Sequence, residues 1–263
     1  MFAHRGGSGL APENTLAAFD NGIAQGADGL ELDVHLSRDG RVVVHHDSTL
    51  DRTTNLRGAV ADHTADELAR ADAGFHFDRN GSFPYRGQGV GVPLLAEVLA
   101  RHNAVPIVVE LKVDSAELAA AVVDVVRRAD AIERVCLGSF GLRVLRAVRE
   151  IEPAIVTSAA REEVRWALYR SWCRWPVRQA SYCCYQVPEW SGTTRVVSPY
   201  FVAAAHRAEL PVHVWVVDTE TDAARLLDWG VDALITDRPD IVVPVVRGRK
   251  ADLGDSRMSP QRH

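Results

Sequence analysis

No stretch of this 263-residue chain is apolar enough to cross a membrane as a helix, which takes about 18 consecutive apolar residues. Positive charge is also short: 30 Lys and Arg face 35 Asp and Glu, a net charge of -5. Nucleic-acid binding rests on neutralising phosphates with a basic field, so no nucleic-acid partner is expected. Cysteine is sparse, and Cys136, Cys173, Cys183 and Cys184 form neither a CxxC pair nor a zinc-binding spacing. Adjacent Cys183 and Cys184 would join only with strain. The reading is four reduced thiols in a cytoplasmic protein. A signal peptide is not expected either, because Met1-Phe2-Ala3-His4 enters a strand-like run at once. With 47% hydrophobic and 25% charged residues, the composition is that of an ordinary globular protein.

What the chain does have is an alternation. Strand-like runs are expected at 1–4, around Glu31 and Asp33, and at 105–111, 135–139, 154–158, 181–187, 212–217 and 233–235. Helical stripes fall between them at 13–25, 93–102, 115–128, 142–150, 161–172, 198–209 and 221–229, with a short final helix after Pro239. Setting aside a returning strand at 42–46, each strand is followed by a helix. Repeated strand–helix units build a parallel sheet, and eight of them close an α/β (β/α)8 TIM barrel. Residues 48–92 interrupt the pattern; they are polar, with one clear helix start at Thr64-Ala-Asp-Glu67, a capping-box sequence. This segment reads as an insertion or small subdomain after the second strand's hairpin. From 247 to 263 the chain is polar and aperiodic, which reads as a disordered tail behind a single catalytic domain, 1–246.

The chemistry gathers at strand ends. In such barrels the active site lies at the C-terminal ends of the strands. The first strand ends in His4-Arg5, the second carries Glu31 and Asp33, the returning strand ends in His46-Asp47, and the third places Glu110 and Lys112 two apart after three apolar residues. Residues two apart on a strand share a face. Asp39-Gly40 suits a two-residue hairpin loop, a register that sets Asp33 opposite His46. Buried charges cost several kcal/mol unless paired or metal-bound. Three carboxylates suit a divalent ion, two histidines suit proton transfer, and two cations suit an anion. The set fits a phosphoryl substrate.

Read as blocks, AHRGGSGLAPENTLAAF, GADGLELDVHLSRDGRVVVHHDSTLDRTTN and VVVELK resemble the signature motifs of the glycerophosphodiester phosphodiesterase family, in the family's order. VHVWVVDT and GVDALITDRPD are similar to its C-terminal motifs, so the resemblance covers residues 2–243. The resemblance implies metal-dependent hydrolysis of glycerophosphodiesters to glycerol 3-phosphate and an alcohol. It implies one divalent cation, Mg²⁺ or Ca²⁺, on Glu31, Asp33 and Glu110, with His4 and His46 as general acid and base. Arg5 and Lys112 would contact the phosphate, Trp215 would line the glycerol side, and the insertion would cap the barrel mouth. The chain departs from the pattern at Val216 and Asp218, where the family tends towards Thr and Asn. Two alternatives stand beside this reading: a lysophospholipase D-like or sphingolipid-head-group phosphodiesterase, and a non-catalytic glycerophosphodiester-binding protein.

Other residues are read more plainly. His45 points to the strand face opposite His46 and is expected to be structural, while His35 is placed at the solvent rim. Asp47 is expected to bond backbone and orient the hairpin. Glu13 and Asn14 open the first helix, with Asn14 close to the site. Trp166, Trp172 and Trp175, with Tyr169 and nearby arginines, read as a packing stripe of the fifth barrel helix; the alternative is peripheral contact with a membrane surface.

Overall fold

In the computed structural model, which describes residues 1–173, 175 and 180–258, the expected strands are short and mostly buried. The chain runs β1 (Phe2–His4), α1 (Leu16–Ala24), β2 (Gly29–Leu36), β3 (Val42–Val44), α2 (Ala65–Ala69), α3 (Leu95–Arg101), β4 (Ile107–Leu111), α4 (Ala116–Arg128), β5 (Val135–Gly138) and α5 (Leu142–Ile151). It continues through β6 (Val156–Thr157), α6 (Arg161–Trp172), β7 (Tyr185–Pro188), a small hairpin of β8 (Trp190–Ser191) and β9 (Thr194–Arg195), α7 (Pro199–His206), β10 (Val212–Trp215), α8 (Glu220–Asp228), β11 (Ala233–Thr236) and α9 (Pro239–Met258). Eight of these strands pair in parallel in the order β6-β5-β4-β2-β1-β11-β10-β7. The two ends of that order meet at the bridge Ser158↔Cys184, where Ala159 N donates to Cys184 O at 3.0 Å and Cys183 N donates to Thr157 O at 2.9 Å. The expected barrel is therefore the observed one.

Its helices cover the strands through ordinary stripes. In α4, Leu118, Ala119, Val122, Val123 and Val126 are buried while Ser115 Oγ accepts from Leu118 N as an N-cap. Each Val or Leu so buried contributes roughly 1.5–3 kcal/mol. Residues 48–92 build a second core on Val43 of β3, in which Leu50, Val60, Leu68 and Val92 meet apart from the barrel core. The capping box at Thr64 and Glu67 forms as the sequence implies.

The structure corrects several local expectations. Val34 pairs with Val44 and Leu36 with Val42, so the hairpin loop has three residues, Arg38-Asp39-Gly40, closed by Ser37 N donating to Arg41 O at 2.9 Å. Gly40 takes the left-handed conformation at φ 72° that such a loop requires. The extra residue shifts the register by one, and His45, not His46, stands opposite Asp33, its N–H donating to Asp33 O at 2.9 Å. The packing stripe expected on α6 is overturned: its buried residues are Ala167, Leu168 and Ser171, while Trp166, Trp172 and Trp175 are about two-thirds exposed. Helix α9 runs across the boundary expected at 246, with Arg249 near its middle donating to Ala224 O at 2.7 Å. Residues 174 and 176–179 of the arginine-rich stretch, and 259–263 of the expected tail, lie outside the described residues. Among the described residues no helix is long and apolar enough to cross a membrane.

Candidate active site

Strand pairing brings the polar strand ends together. His4 lies beside Glu31 in register, and Asp33 beside Glu110. Beyond His4 the chain turns sharply, with Arg5 at φ 49° and Gly6 at φ 87°; a Cβ at Gly6 would stand 2.6 Å from the backbone of Ala18. Only glycine lets this loop press so close to α1. The turn aims Arg5 N at Glu31 Oε2, 3.1 Å away, and lays the guanidinium between Glu13 (Nη1 to Oε1, 3.0 Å) and Asp33 (Nε to Oδ2, 3.3 Å). Asn14, left-handed and buried, donates to Asp33 Oδ2 at 2.9 Å and accepts from Asp33 N at 3.2 Å. Lys112 Nζ sits 3.2 Å from Glu110 Oε1 and 3.3 Å from Asp33 Oδ1.

Oxygens of Glu31, Asp33 and Glu110 all lie within 4.8 Å of one another. Crowding and burial make this costly. Burial and the neighbouring Asp33 push the Glu31 carboxyl up to about 8, and burial raises Glu110 against the pull of Lys112. Lys112 stands off the hydrogen-bonding axis of Asp33 Oδ1, which is buried without a hydrogen-bond partner. An orphaned oxygen among three converging carboxylates is a donor set for a hard divalent cation.

Each histidine is held by a carboxylate. His4 Nδ1 lies 2.7 Å from Asp237 Oδ1, and its Nε2 is 3.8 Å from Glu31 Oε2. Burial alone would lower its pKa, but Glu31 and Asp237 together raise it. Asp237 also accepts from Ser8 Oγ at 2.5 Å. His46 lies on the bend after β3, with its carbonyl 3.1 Å from His35 Nε2 and its Nδ1 2.6 Å from Asp47 Oδ1. Arg52 reaches back from the 48–92 segment, Nε to Asp47 Oδ2 at 2.6 Å and both terminal nitrogens to Glu13 at 2.7 Å. Arg52, followed by His46, holds Asp47 well below the usual carboxylate range against its partial burial. One unbroken chain of contacts thus runs His46–Asp47–Arg52–Glu13–Arg5–Asp33.

His4, Arg5, Glu31, His46, Glu110 and Lys112 line one side of a cavity of about 930 Å³. Trp215 and Phe140, ring centroids 6.0 Å apart, belong to the other side, with Arg161 4.8 Å over the Phe140 ring. Leu168, Tyr169, Trp172 and Trp190 extend that wall towards the surface. Seven of the eight candidate residues line this cavity, six on one side and Trp215 on the other, and Asp33 is buried behind the first six. His35 is buried, not at the rim, and Asp47 bonds the His46 ring, not backbone. His45 is structural, its Nε2 3.1 Å from Thr49 O. Asp218, the departure from the family pattern, accepts from Thr236 Oγ1 at 2.9 Å and Asp237 N at 2.8 Å, bracing the turn that carries Asp237. The strand-end rule applied to β11 points to Asp237; nothing in the sequence singles out Arg52, which lies in an irregular loop.

Fold and site together define a barrel hydrolase of phosphodiesters. The chain belongs to the glycerophosphoryl diester phosphodiesterase family, whose model matches residues 4–241. It is 31% identical over 94% of its length, and 97% of the relative's, to a glycerophosphodiester phosphodiesterase of Caldanaerobacter subterraneus, and 32% identical over 93% of its length, and 97% of the relative's, to one of Bacillus altitudinis. Among solved structures it is similar to an Oleispira antarctica phosphodiesterase in complex with the product sn-glycerol-3-phosphate, at 26% identity and TM-score 0.76, covering 94% of this chain and 96% of that one.

Proposed function

We propose that this enzyme hydrolyses glycerophosphodiesters to glycerol 3-phosphate and an alcohol, with a divalent ion on Glu31, Asp33 and Glu110 and with His4 and His46 as the proton-transfer pair. The observation that carries the reading is the orphaned Asp33 Oδ1 within a three-carboxylate cluster flanked by two histidines whose Nδ1 atoms are each engaged by a carboxylate. When bound, a Mg²⁺ or Ca²⁺ ion supplies charge neutralisation at the phosphate oxygens. The chain's own residues do the rest. Asp237 and Asp47 hold Nδ1–H in place, which leaves Nε2 of each histidine to take or give a proton, a role worth roughly 10²- to 10⁴-fold per group. Arg5 and Lys112 present positive charge to the phosphate, and the turn at Gly6 keeps Arg5 from swinging away. Trp215 and Phe140 give the glycerol carbons an apolar face.

The assay is release of glycerol 3-phosphate from glycerophosphocholine with EDTA, then with Mg²⁺ or Ca²⁺ restored, beside a folded Glu31→Ala variant. Turnover that returns with metal and is missing in the variant supports the reading. Metal binding without turnover on this or any acylated substrate moves the protein to the binding-protein alternative.

A second reading concerns the alcohol. At about 930 Å³ the cavity is near the top of the ~300–1,000 Å³ range of small-ligand sites. Leu168, Tyr169 and Trp172 offer a path that an acyl chain would follow, and exposed Trp166, Trp172 and Trp175 would rest at a lipid surface. A lysophospholipid is the substrate this arm favours. Comparing kcat/KM for glycerophosphocholine and lysophosphatidylcholine, with flotation on anionic vesicles, decides it: equal rates and no flotation sink the acylated substrate.

A further inference from the structure

In sequence the cysteines show no metal-binding spacing, yet the fold gathers three of them. Cys136 sits in β5 and Cys183 and Cys184 lead into β7, and their Sγ atoms all lie within 4.8 Å of one another. Cys136 and Cys183 are 4.0 Å apart, sulfur to sulfur. The cluster lies towards the N-terminal end of the barrel, away from the carboxylates. Cys136 pairs with Val108, whereas Gly138, two residues further along β5, pairs with Glu110. Cys184 is buried, while Cys136 and Cys183 are half-buried, so an ion can arrive from solvent and still be shielded. On β10, His213 stacks on Phe2 at 5.7 Å and lies outside the group of donor atoms within 4.8 Å of one another. Its Nδ1 is buried with no hydrogen-bond partner. A buried polar nitrogen normally has one.

We propose that Cys136, Cys183 and Cys184 form a binding site for one thiophilic cation of the Zn²⁺ class. Sulfur-rich donor sets select Zn²⁺ and softer ions, whereas Mg²⁺ and Ca²⁺ take oxygen, so the two ends of the barrel sort metals by donor type. On binding, each coordinating thiol gives its proton to solvent and becomes a thiolate. The site spans the seam. β6 has two residues, and the barrel closes beside it at Ser158↔Cys184. An ion held by Cys136 on one side and Cys183 and Cys184 on the other ties β5 to β7 across that short strand, and stabilises the closed barrel by mass action.

The test uses the full chain, metal-stripped and then saturated with Mg²⁺ to fill the carboxylate cluster, with and without one equivalent of Zn²⁺. Iodoacetamide labelling followed by peptide mass spectrometry is expected to show Cys136 and Cys183 slowed at least about tenfold by Zn²⁺, while exposed Cys173 reacts equally in both. Co²⁺ in place of Zn²⁺ is expected to give sulfur-to-cobalt charge-transfer absorption, lost in Cys136→Ser and in Cys183→Ser. The cobalt spectrum of the native chain stands even if a serine variant fails to fold. Equal labelling with and without Zn²⁺ overturns the site, as does a cobalt spectrum without charge transfer. A Cys136–Cys183 disulfide that forms in air despite Zn²⁺ also overturns it.

Discussion

The two walls of the cavity are built on different principles. On the β1, β2 and β4 side, Glu31, Asp33, Glu110, Arg5 and Lys112 interlock at 2.9–3.3 Å with Asn14 and Glu13 behind them. On the far side Trp215, Phe140, Tyr169 and Trp172 present rings with few polar anchors, and Trp172 is 63% exposed. A buried charged network is costly when half satisfied, so its geometry is tightly specified. An aromatic wall tolerates exchange at a cost of packing alone. In the proposed reading, the first half of the chain, with Asp237 from the second holding His4, carries the reaction, and the aromatic wall adjusts what it acts upon.

That division can be broken by mutation, most strongly on the charged side. Glu31→Gln is expected to lower kcat about 10⁴-fold, since metal assistance supplies several kcal/mol, with the loss read at saturating Mg²⁺. His46→Ala and His4→Ala should each cost roughly 10²- to 10⁴-fold, partly restored by added imidazole. Asp47→Asn and Asp237→Asn act through those rings; a drop of about tenfold to a hundredfold in kcat with KM held is expected. If KM rises instead, these carboxylates bind substrate. On the other wall, Tyr169→Ala or Trp172→Ala should leave kcat on glycerophosphocholine within a few-fold and lower kcat/KM for an acylated substrate by about tenfold. Equal losses on both substrates would erase the proposed division.

Proton linkage gives the smallest effect and the sharpest sign. The Glu31 carboxyl, pushed up to about 8 by burial and Asp33, holds its proton more tightly folded than unfolded. Its stabilising contribution is full below its ordinary value of 4.5 and is lost as pH rises through about 8. The metal-free protein should therefore melt lower above pH 8 than near about pH 6, and Mg²⁺ should flatten the slope while releasing protons near neutrality. A melting temperature that rises over this window would refute the assignment.

The barrel was legible because its signal repeats: each Val- and Ile-rich run is followed by a helical stripe, and Ile107–Leu111 and Ala116–Arg128 fall where that rhythm puts them. Glu110 and Lys112 were legible because charges on such a strand need a partner. The hairpin register was not, since Asp39-Gly40 serves a two- or a three-residue loop equally well and one residue decides which histidine faces Asp33. Trp166, Tyr169 and Trp172 recur at helical spacing, but spacing shows that a face is apolar without showing what covers it. Arg52 was hidden for a different reason. Its partners Glu13 and Asp47 come from separate segments that meet only after the barrel closes.

Arg52 also makes remote damage chemically visible. It springs from a segment whose apolar centre, Leu50, Val60 and Leu68, is separate from the barrel's, and it is the post against which both Asp47 and Glu13 lean. A defect at Leu68 would leave every strand of the barrel paired, yet let the imidazole of His46 drift. The variant would still look folded by its bulk secondary structure and would fail first as an enzyme.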